Sequence, residues 1–466
     1  MFNIDINSNK TLYISIYESI KNNIEENKMI PDEKLPSKRS LAESLNVSTV
    51  TVQNAYNQLL AEGYIYSKEK IGYFVSNIDF YFNNTRKASD FFNKVASKDE
   101  KINIDLSKNS INTKLFPFST WSKLMRQVIS ENYDLLLDKL PNAGLWDLRV
   151  AICQYIKKYK DINVNPNNII IGSGTEHLYG QIVKLLGRDK IYAIEDPGYQ
   201  KIYKIYKSEH TNIIHIPVDD FGMRTDFLYS SNLNGKSIDY IHITPSHQYP
   251  TGIVMPITRR SELLKWANES NSRYIIEDDY DSEFRYTGRT IPPIKSIDNN
   301  DKVIYINTFS NTISPSLRIS YMILPDKLVK LYEKKLSFYS CTVTSFEQYT
   351  LARFISQSYY SRHIRRMRKI YKNNLDEIVR ILESSKISNK IKIYKEKSGL
   401  HFVMKIKSKK NDLCLKKDAE KYGLNLSFLS EYSKFSQCEN SICIVNYAGI
   451  EPHIFNNIID ILDIIM

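Results

Sequence analysis

Cysteine is scarce. The 466 residues carry five, Cys153, Cys341, Cys414, Cys438 and Cys443, an odd number with no CxxC pair. That usage indicates neither a disulfide framework nor a zinc site, and it points to a reducing, cytoplasmic compartment. Long apolar runs are missing as well. No stretch approaches the roughly 18 apolar residues of a membrane span, so no membrane partner is expected. The opening MFNIDINSNK has no apolar run behind a basic one, so no signal peptide is expected. The ending FNNIIDILDIIM repeats apolar residues at helical spacing and reads as a packing helix. What is present is ordinary for a globular protein: 42% hydrophobic and 25% charged residues. The length is too great for one core and predicts two or three domains. A net charge of +12 is compatible with nucleic acid as a partner, but charge argues attraction and not fold.

Residues 11–30 place Leu12, Ile16, Ile20 and Ile24 four apart, one apolar helical stripe. A Pro31-Asp32 turn follows. Ser37 can then cap a helix carrying Leu41 and Leu45, Asn46 sits at a turn, and Ser48 caps a second helix carrying Val52, Tyr56 and Leu59. Gly63 ends that helix. Two short strands joined at residues 68–72 complete the pattern, a helix-turn-helix with a wing. Residues 77–103 mix aromatics (Phe80, Phe82, Phe91, Phe92) with charges and show no sustained period, as expected of a linker.

From Ile104 onward apolar strands alternate with amphipathic helices, the sign of an α/β domain with a mainly parallel sheet. The most informative stretch is residues 274–324. RYIIEDDYDSEFRYTGR and KVIYINTFSNTISPSLRISYMILP read as buried strands delivering polar residues at their carboxyl ends, where open α/β sheets bind ligands. Asp278 can hold a ring nitrogen protonated, and the Tyr280 phenol can hydrogen-bond a ring hydroxyl. Thr308, Ser310 and Arg318 suit a phosphate, Arg offering a rigid, charged donor fork. An aromatic ring with those three features is pyridoxal 5′-phosphate. Earlier, NNIIIGSGTEHLYG runs from a strand through Gly172-Ser173-Gly174-Thr175 into a helix, whose first N–H groups and dipole favour a phosphate. The acidic EDDYDSE could alternatively bind a cation, though the other loops then go unexplained. His247 alone reads as a hydrogen-bonded loop histidine, with no metal partner at ligand spacing.

These segments resemble the MocR subfamily of GntR-type transcription regulators, over nearly the whole chain outside the linker. P-S-x-R-x-L-A followed by V-S-x-x-T-V marks the winged helix over residues 12–75. The LFP at residues 115–117, Trp121, the HQYPTG at residues 247–252 and the Gly399-Leu400-His401 and Asn446-Tyr447-Ala448 landmarks mark the rest. The resemblance implies an N-terminal, mainly α winged helix-turn-helix (residues 1–76), the linker, and an aminotransferase type I α/β domain over 104–466. That domain would have a large part to about 340 and a small C-terminal α+β part over 341–466, opening on the basic helix SRHIRRMRKIYKNN. It implies a head-to-tail homodimer with DNA and a small-molecule effector, an amino acid or a vitamin B6 form, as partners. Ser37, Arg39, Ser48, Thr49, Thr51 and Gln53 would face DNA, with the second helix in the major groove and Gly72 in the wing. The family often carries Arg where Thr49 and Gln53 stand. Ser173, Gly174, Thr175, Tyr199 (stacked on the ring), His247 (beside it), Asp278, Tyr280, Thr308, Ser310, Asn311 and Arg318 would form the cofactor or effector site.

One departure stands out. The family loop T-F-S-K-T carries the lysine that forms a Schiff base with the cofactor, and this chain reads Thr308-Phe309-Ser310-Asn311-Thr312. An amide is neither basic nor nucleophilic, so Asn311 can neither bond the cofactor nor move protons for it. The Arg by which transaminases hold a substrate carboxylate is absent too, its place taken by Ile444. Three explanations are compatible: a pyridoxal-type ligand held without a covalent bond, a pocket turned to another anion, or an Asn introduced to trap an intermediate. All make the protein a regulator without turnover. The alternatives are an aminotransferase with a helper head, a DNA-binding protein with a dead pocket, and a winged helix that serves as an interaction module.

Overall fold

The computed structural model describes residues 11–26, 28–77, 104–108, 110–233, 235–286, 291–394, 399–434 and 441–466. From residue 78 on, the expected linker, with Phe80, Phe82, Phe91 and Phe92, lies outside these residues, as does Cys438. The chain forms two compact units, Met1–Asp99 and Glu100–Met466.

Among its described residues the first unit holds three helices, α1 (Leu12–Glu25), α2 (Lys38–Leu45) and α3 (Thr49–Ala61), and a hairpin of β1 (Ile65–Lys68) and β2 (Gly72–Val75). The α1 stripe is buried at Ile16, Ile20 and Ile24, whereas Leu12 is exposed. Those isoleucines share a core with Leu41, Val52, Ala55, Tyr56 and Leu59 from α2 and α3. The turn between α2 and α3 forms because Asn46 adopts the left-handed conformation (φ 54°), which Asn tolerates better than most residues. Ser48 Oγ then caps α3 by accepting from the Thr51 N–H at 3.1 Å. The hairpin pairs Ile65 with Val75 and Lys68 with Gly72, in antiparallel register.

The second unit is built on an eight-stranded sheet. Its strands are β3 (Ile169–Gly172), β4 (Ile191–Asp196), β5 (Asn212–Asp219), β6 (Gly222–Met223), β7 (Tyr240–Ile243), β8 (Tyr274–Asp279), β9 (Val303–Thr308) and β10 (Ser320–Ile323). Their spatial order is β3-β10-β9-β8-β7-β4-β5-β6. Neighbours from β9 to β5 are parallel, while β10 runs antiparallel to both β9 and β3. The carboxyl ends of β3, β8 and β9 therefore share one edge of the sheet. β10 starts there, so the residue just before it, Arg318, belongs to the same edge.

Both faces of the sheet are covered, which is why its strands read as continuous apolar runs. Ile304 and Ile306 join one core with Leu178, Tyr179 and Ile182 of the helix Thr175–Leu186 (α5). On the other face Tyr305 joins Ile152 and Ile156 of the helix Trp146–Lys160 (α4).

A smaller three-stranded sheet, β11 (Ile391–Tyr394), β12 (His401–Ile406) and β13 (Ile442–Asn446), packs beneath the C-terminal helix Phe455–Ile465. Leu106 and Ile111 are buried in this C-terminal core, so the start of the unit folds back onto its end. The helix Ser345–Ser356 packs with the large part, through Leu351 and Phe354. The 25-residue helix Tyr359–Glu383 links the two cores: Tyr360 and Ile364 lie in the large one, Met367 through Leu382 in the small.

Candidate functional site

The short acidic stretch after residue 276 is sorted by strand alternation. Glu277 and Asp279 point to one face of the sheet, Asp278 to the other. Glu277 accepts the N–H groups of Ile294 and Lys295, both at 2.8 Å. Asp279 pairs with the buried Lys160 at 2.7 Å, and Glu283 meets the same ammonium at 2.8 Å. Asp278 faces α5, where the Tyr179 hydroxyl donates to its Oδ2. Its other oxygen, Oδ1, is buried with no hydrogen-bond partner among the described residues.

Asp278 forms one wall of a cavity of about 160 Å³ at the common strand edge. Gly174 and Thr175 at the start of α5, Thr308 at the end of β9, Ser310 just after it, and Arg318 before β10 also line it. Gly174 has φ +90°, and a Cβ there would lie 2.8 Å from Arg318 Nη2, so only glycine allows the loop and the guanidinium to come together. Arg318 Nη2 donates to Glu176 at 2.9 Å, and Lys201 reaches the same carboxylate at 2.6 Å. Those two cations, Lys201 first, hold Glu176 below its ordinary carboxyl value. Thr308 is partly committed within the fold, since its Oγ1 accepts from Ser320 Oγ at 2.8 Å. Ser173 contributes backbone: its N–H donates to Thr342 Oγ1 and its carbonyl accepts from Arg318.

Asn311 lines the cavity and donates from Nδ2 to the Tyr280 carbonyl at 3.2 Å. No lysine is among the described residues of the lining. Tyr199 and Tyr280 also line it, and Tyr199 meets Tyr249 edge to face at 5.5 Å.

His247 is placed differently from the expectation of a side chain beside the ligand. It is not among the described residues that line the cavity. Its ring is buried and meets Asp281 Oδ2 at 2.9 Å, with the His401 ring 4.5 Å away between centroids. Asp281 and His401 are thus the neighbours that sequence spacing did not reveal, since one lies on the next strand loop and the other in the C-terminal sheet. Two residues along the same loop, Tyr249 takes the lining position instead. Burial, then the adjacent His247, hold the His401 imidazole well below its ordinary value, so that ring is neutral. Tyr179, Thr244 and Glu176 are further lining residues that the sequence reading missed. Beneath the cavity Glu195 accepts from Thr244 N–H and Oγ1.

In the winged helix Arg39, Ser48 and Thr49 are exposed, and Gln53 is half-buried. Ser37 Oγ caps α2 by accepting from Ser40 N–H at 3.2 Å, and Thr51 Oγ1 lies 2.8 Å from Ser48 Oγ. Gln53 is engaged by Lys38 and donates to Asn57 at 2.6 Å. Gly72 has φ +135°, and its position against Lys34 leaves little room for a side chain. Val50, on the first turn of α3, is 67% exposed, an apolar side chain of the kind that contacts a thymine methyl, and it was not singled out from sequence.

A winged helix joined to an aminotransferase-type unit defines the class. A model of bacterial regulatory proteins of the gntR family matches residues 12–75, and one of aminotransferases of class I and II matches residues 101–438. The chain belongs to the family of HTH-type transcriptional regulators that join these two parts. It is 36% identical, over 89% of its length and 88% of the relative's, to the uncharacterized HTH-type transcriptional regulator YdeL of Bacillus subtilis (strain 168). Over 97% of its length and 93% of the relative's it is 28% identical to the probable rhizopine catabolism regulatory protein MocR of Rhizobium meliloti. The crystal structure of a multiple substrate aminotransferase from Thermococcus profundus matches with a TM-score of 0.69, over 81% of this chain and 94% of that one. At 24% identity this likeness speaks to the fold alone. No helix among the described residues is long and apolar enough to cross a membrane.

Proposed function

We propose that this chain regulates transcription by binding DNA through its winged helix, and that its aminotransferase-like unit senses a pyridoxal phosphate-type ligand held without a covalent bond. The observation that carries the reading is the unpartnered Oδ1 of Asp278. A buried carboxylate oxygen without a donor is costly, and a protonated ring nitrogen would supply the donor. When bound, such a group brings a phosphate, a ring hydroxyl and a basic ring nitrogen. The Thr175 and Ser310 hydroxyls, the α5 N-terminus and Arg318 would hold the phosphate. Tyr199 would cover the ring, and Tyr280 would meet its hydroxyl. Asn311 can hydrogen-bond but cannot capture an aldehyde, so we read the unit as a sensor and not an aminotransferase.

On the DNA side, Arg39 would anchor phosphate while Thr49, Val50 and Gln53 meet base edges. The ligand can alter DNA affinity only by binding two states of the protein unequally. We also read the chain as a homodimer. Phe118, Tyr133, Leu135 and Leu137, all on the helix Phe118–Leu137, are half or more exposed, an apolar surface that a second copy would cover. A solution mass of one chain would end that reading.

The functional test is an absorbance and melting titration of the full chain with pyridoxal phosphate. The expected result is a raised melting temperature, no Schiff-base absorbance and no adduct trapped by borohydride. A trapped adduct would overturn the non-covalent reading. The absence of both stabilisation and spectral change would overturn the ligand class.

A further inference from the structure

We propose that His247, Asp281 and His401 form a binding site for a single divalent transition-metal ion of the zinc type. Each offers one donor atom, and the three atoms lie within 4.8 Å of one another. The residues are 2%, 1% and 1% exposed. His401 Nε2 lies 3.2 Å from the Pro250 carbonyl oxygen. A carbonyl only accepts, so Nε2 carries the ring proton and the Nδ1 lone pair is free. Nδ1 is indeed buried without a partner among the described residues. His247 Nδ1 and Asp281 Oδ2 already stand 2.9 Å apart, close to the separation of neighbouring donors on one small ion. Asp281 Oδ1 is a second buried atom of the group with no partner among the described residues. An imidazole oriented through one nitrogen by an oxygen, with the other nitrogen left bare, is the arrangement of a metal-ligating histidine.

The bare His401 Nδ1 and Asp281 Oδ1 would be a cost if nothing joined them. Beside them is a cavity of about 20 Å³, lined by His247, Asp281, Ser246 and Gly399 and large enough for one water molecule. Two imidazoles, one carboxylate and a water make an open four-coordinate set for zinc or a neighbouring first-row ion. Donors on a bound zinc stand roughly 3–3.5 Å apart, so the widest-spaced of the three would draw in by about 1–2 Å on binding. Gly399 keeps the cluster tight: a Cβ there would fall 1.9 Å from His247 Cε1 and 2.8 Å from Asp281 Oδ2. The ion would tie the carboxyl ends of β7 and β8 to the first residue of β12, joining the large sheet to the C-terminal one. It would do so directly behind the effector cavity, since the Tyr280 hydroxyl lies 3.3 Å from His247 Nδ1 and Tyr249 abuts His401. The site stands independently of what the cavity binds.

The test uses the full chain, stripped with a chelator and titrated with Co²⁺ and then Zn²⁺ by calorimetry and visible absorbance. The expected result is saturation at one equivalent, a raised melting temperature and cobalt d–d bands without a thiolate charge-transfer band. Asp281→Asn and His401→Gln should each weaken binding at least about tenfold; should one fail to fold, the other decides. Absence of saturable one-to-one binding would overturn the proposal. A thiolate band, placing the ion on cysteine, or undiminished affinity in the variants would do the same.

Discussion

At the scale of the residue, Glu176 is the side chain whose role is hardest to read from sequence and simplest to test. It follows Gly174-Thr175 at the start of α5, where an acidic residue suits the helix dipole. In the folded unit it occupies the Arg318 guanidinium, the group best suited to a phosphate. A phosphate-bearing ligand must displace that pairing and tolerate the nearby negative charge. Glu176→Gln should therefore bind pyridoxal phosphate several-fold more tightly, measured by calorimetry at low salt. Equal or weaker binding would mean that Arg318 is not the anion's partner. The place of Asp278 at the cavity was legible because it stands at the carboxyl end of an apolar strand in a parallel sheet. His247 was not, because its direction depends on Asp281 and His401, which come from other elements.

At the scale of the element, α3 carries both the fold of the winged helix and its reading face. Ser48, expected at the DNA, spends its hydroxyl oxygen on the cap of that helix. Ser48→Ala should cost about 1 kcal/mol of stability in the N-terminal unit, seen as faster amide hydrogen exchange in α3, and should weaken DNA binding. Ser48→Asn keeps a capping side chain. If it restores both exchange protection and DNA affinity, the residue acts through the helix. If protection returns and affinity does not, the hydroxyl contacts DNA itself. The helices, turn and wing were readable because each rests on local signals: Ser37 and Ser48 as caps, Asn46 at the left-handed turn, Gly72 in the hairpin. The packing of the helix Ser345–Ser356 with the large core was not readable. An amphipathic pattern says that a face is buried and does not say against what.

At the scale of the whole molecule, the sheet core stores a pH dependence. Burial raises both Glu195 and Glu277 to about 7, outweighing the hydrogen bonds that favour their charged forms. The folded state therefore holds protons that the unfolded chain releases at the ordinary carboxyl value. The stability these two groups contribute is full below that value and is lost as pH rises through about 7, by at most about 3 kcal/mol each. Glu195→Gln should raise the melting temperature at pH about 8 and change it little at pH about 5. An equal gain at both pH values would show that Glu195 is charged throughout.

The sequence by itself determined the two-part architecture and the winged helix, because caps, period and motif order are local properties of the chain. It also determined that Asp278, Tyr280, Ser310 and Arg318 belong to one edge, because parallel strands deliver their loops to the same side. Only the tertiary structure decided what those groups meet. It set Glu176 on Arg318, left Asp278 Oδ1 without a donor among the described residues, set His247 against Asp281 and His401 and put Tyr249 in the cavity lining. Such partners lie tens or hundreds of residues apart. Which of them meet is settled by the packing of the two sheets and their helices, and by no local preference of the residues involved.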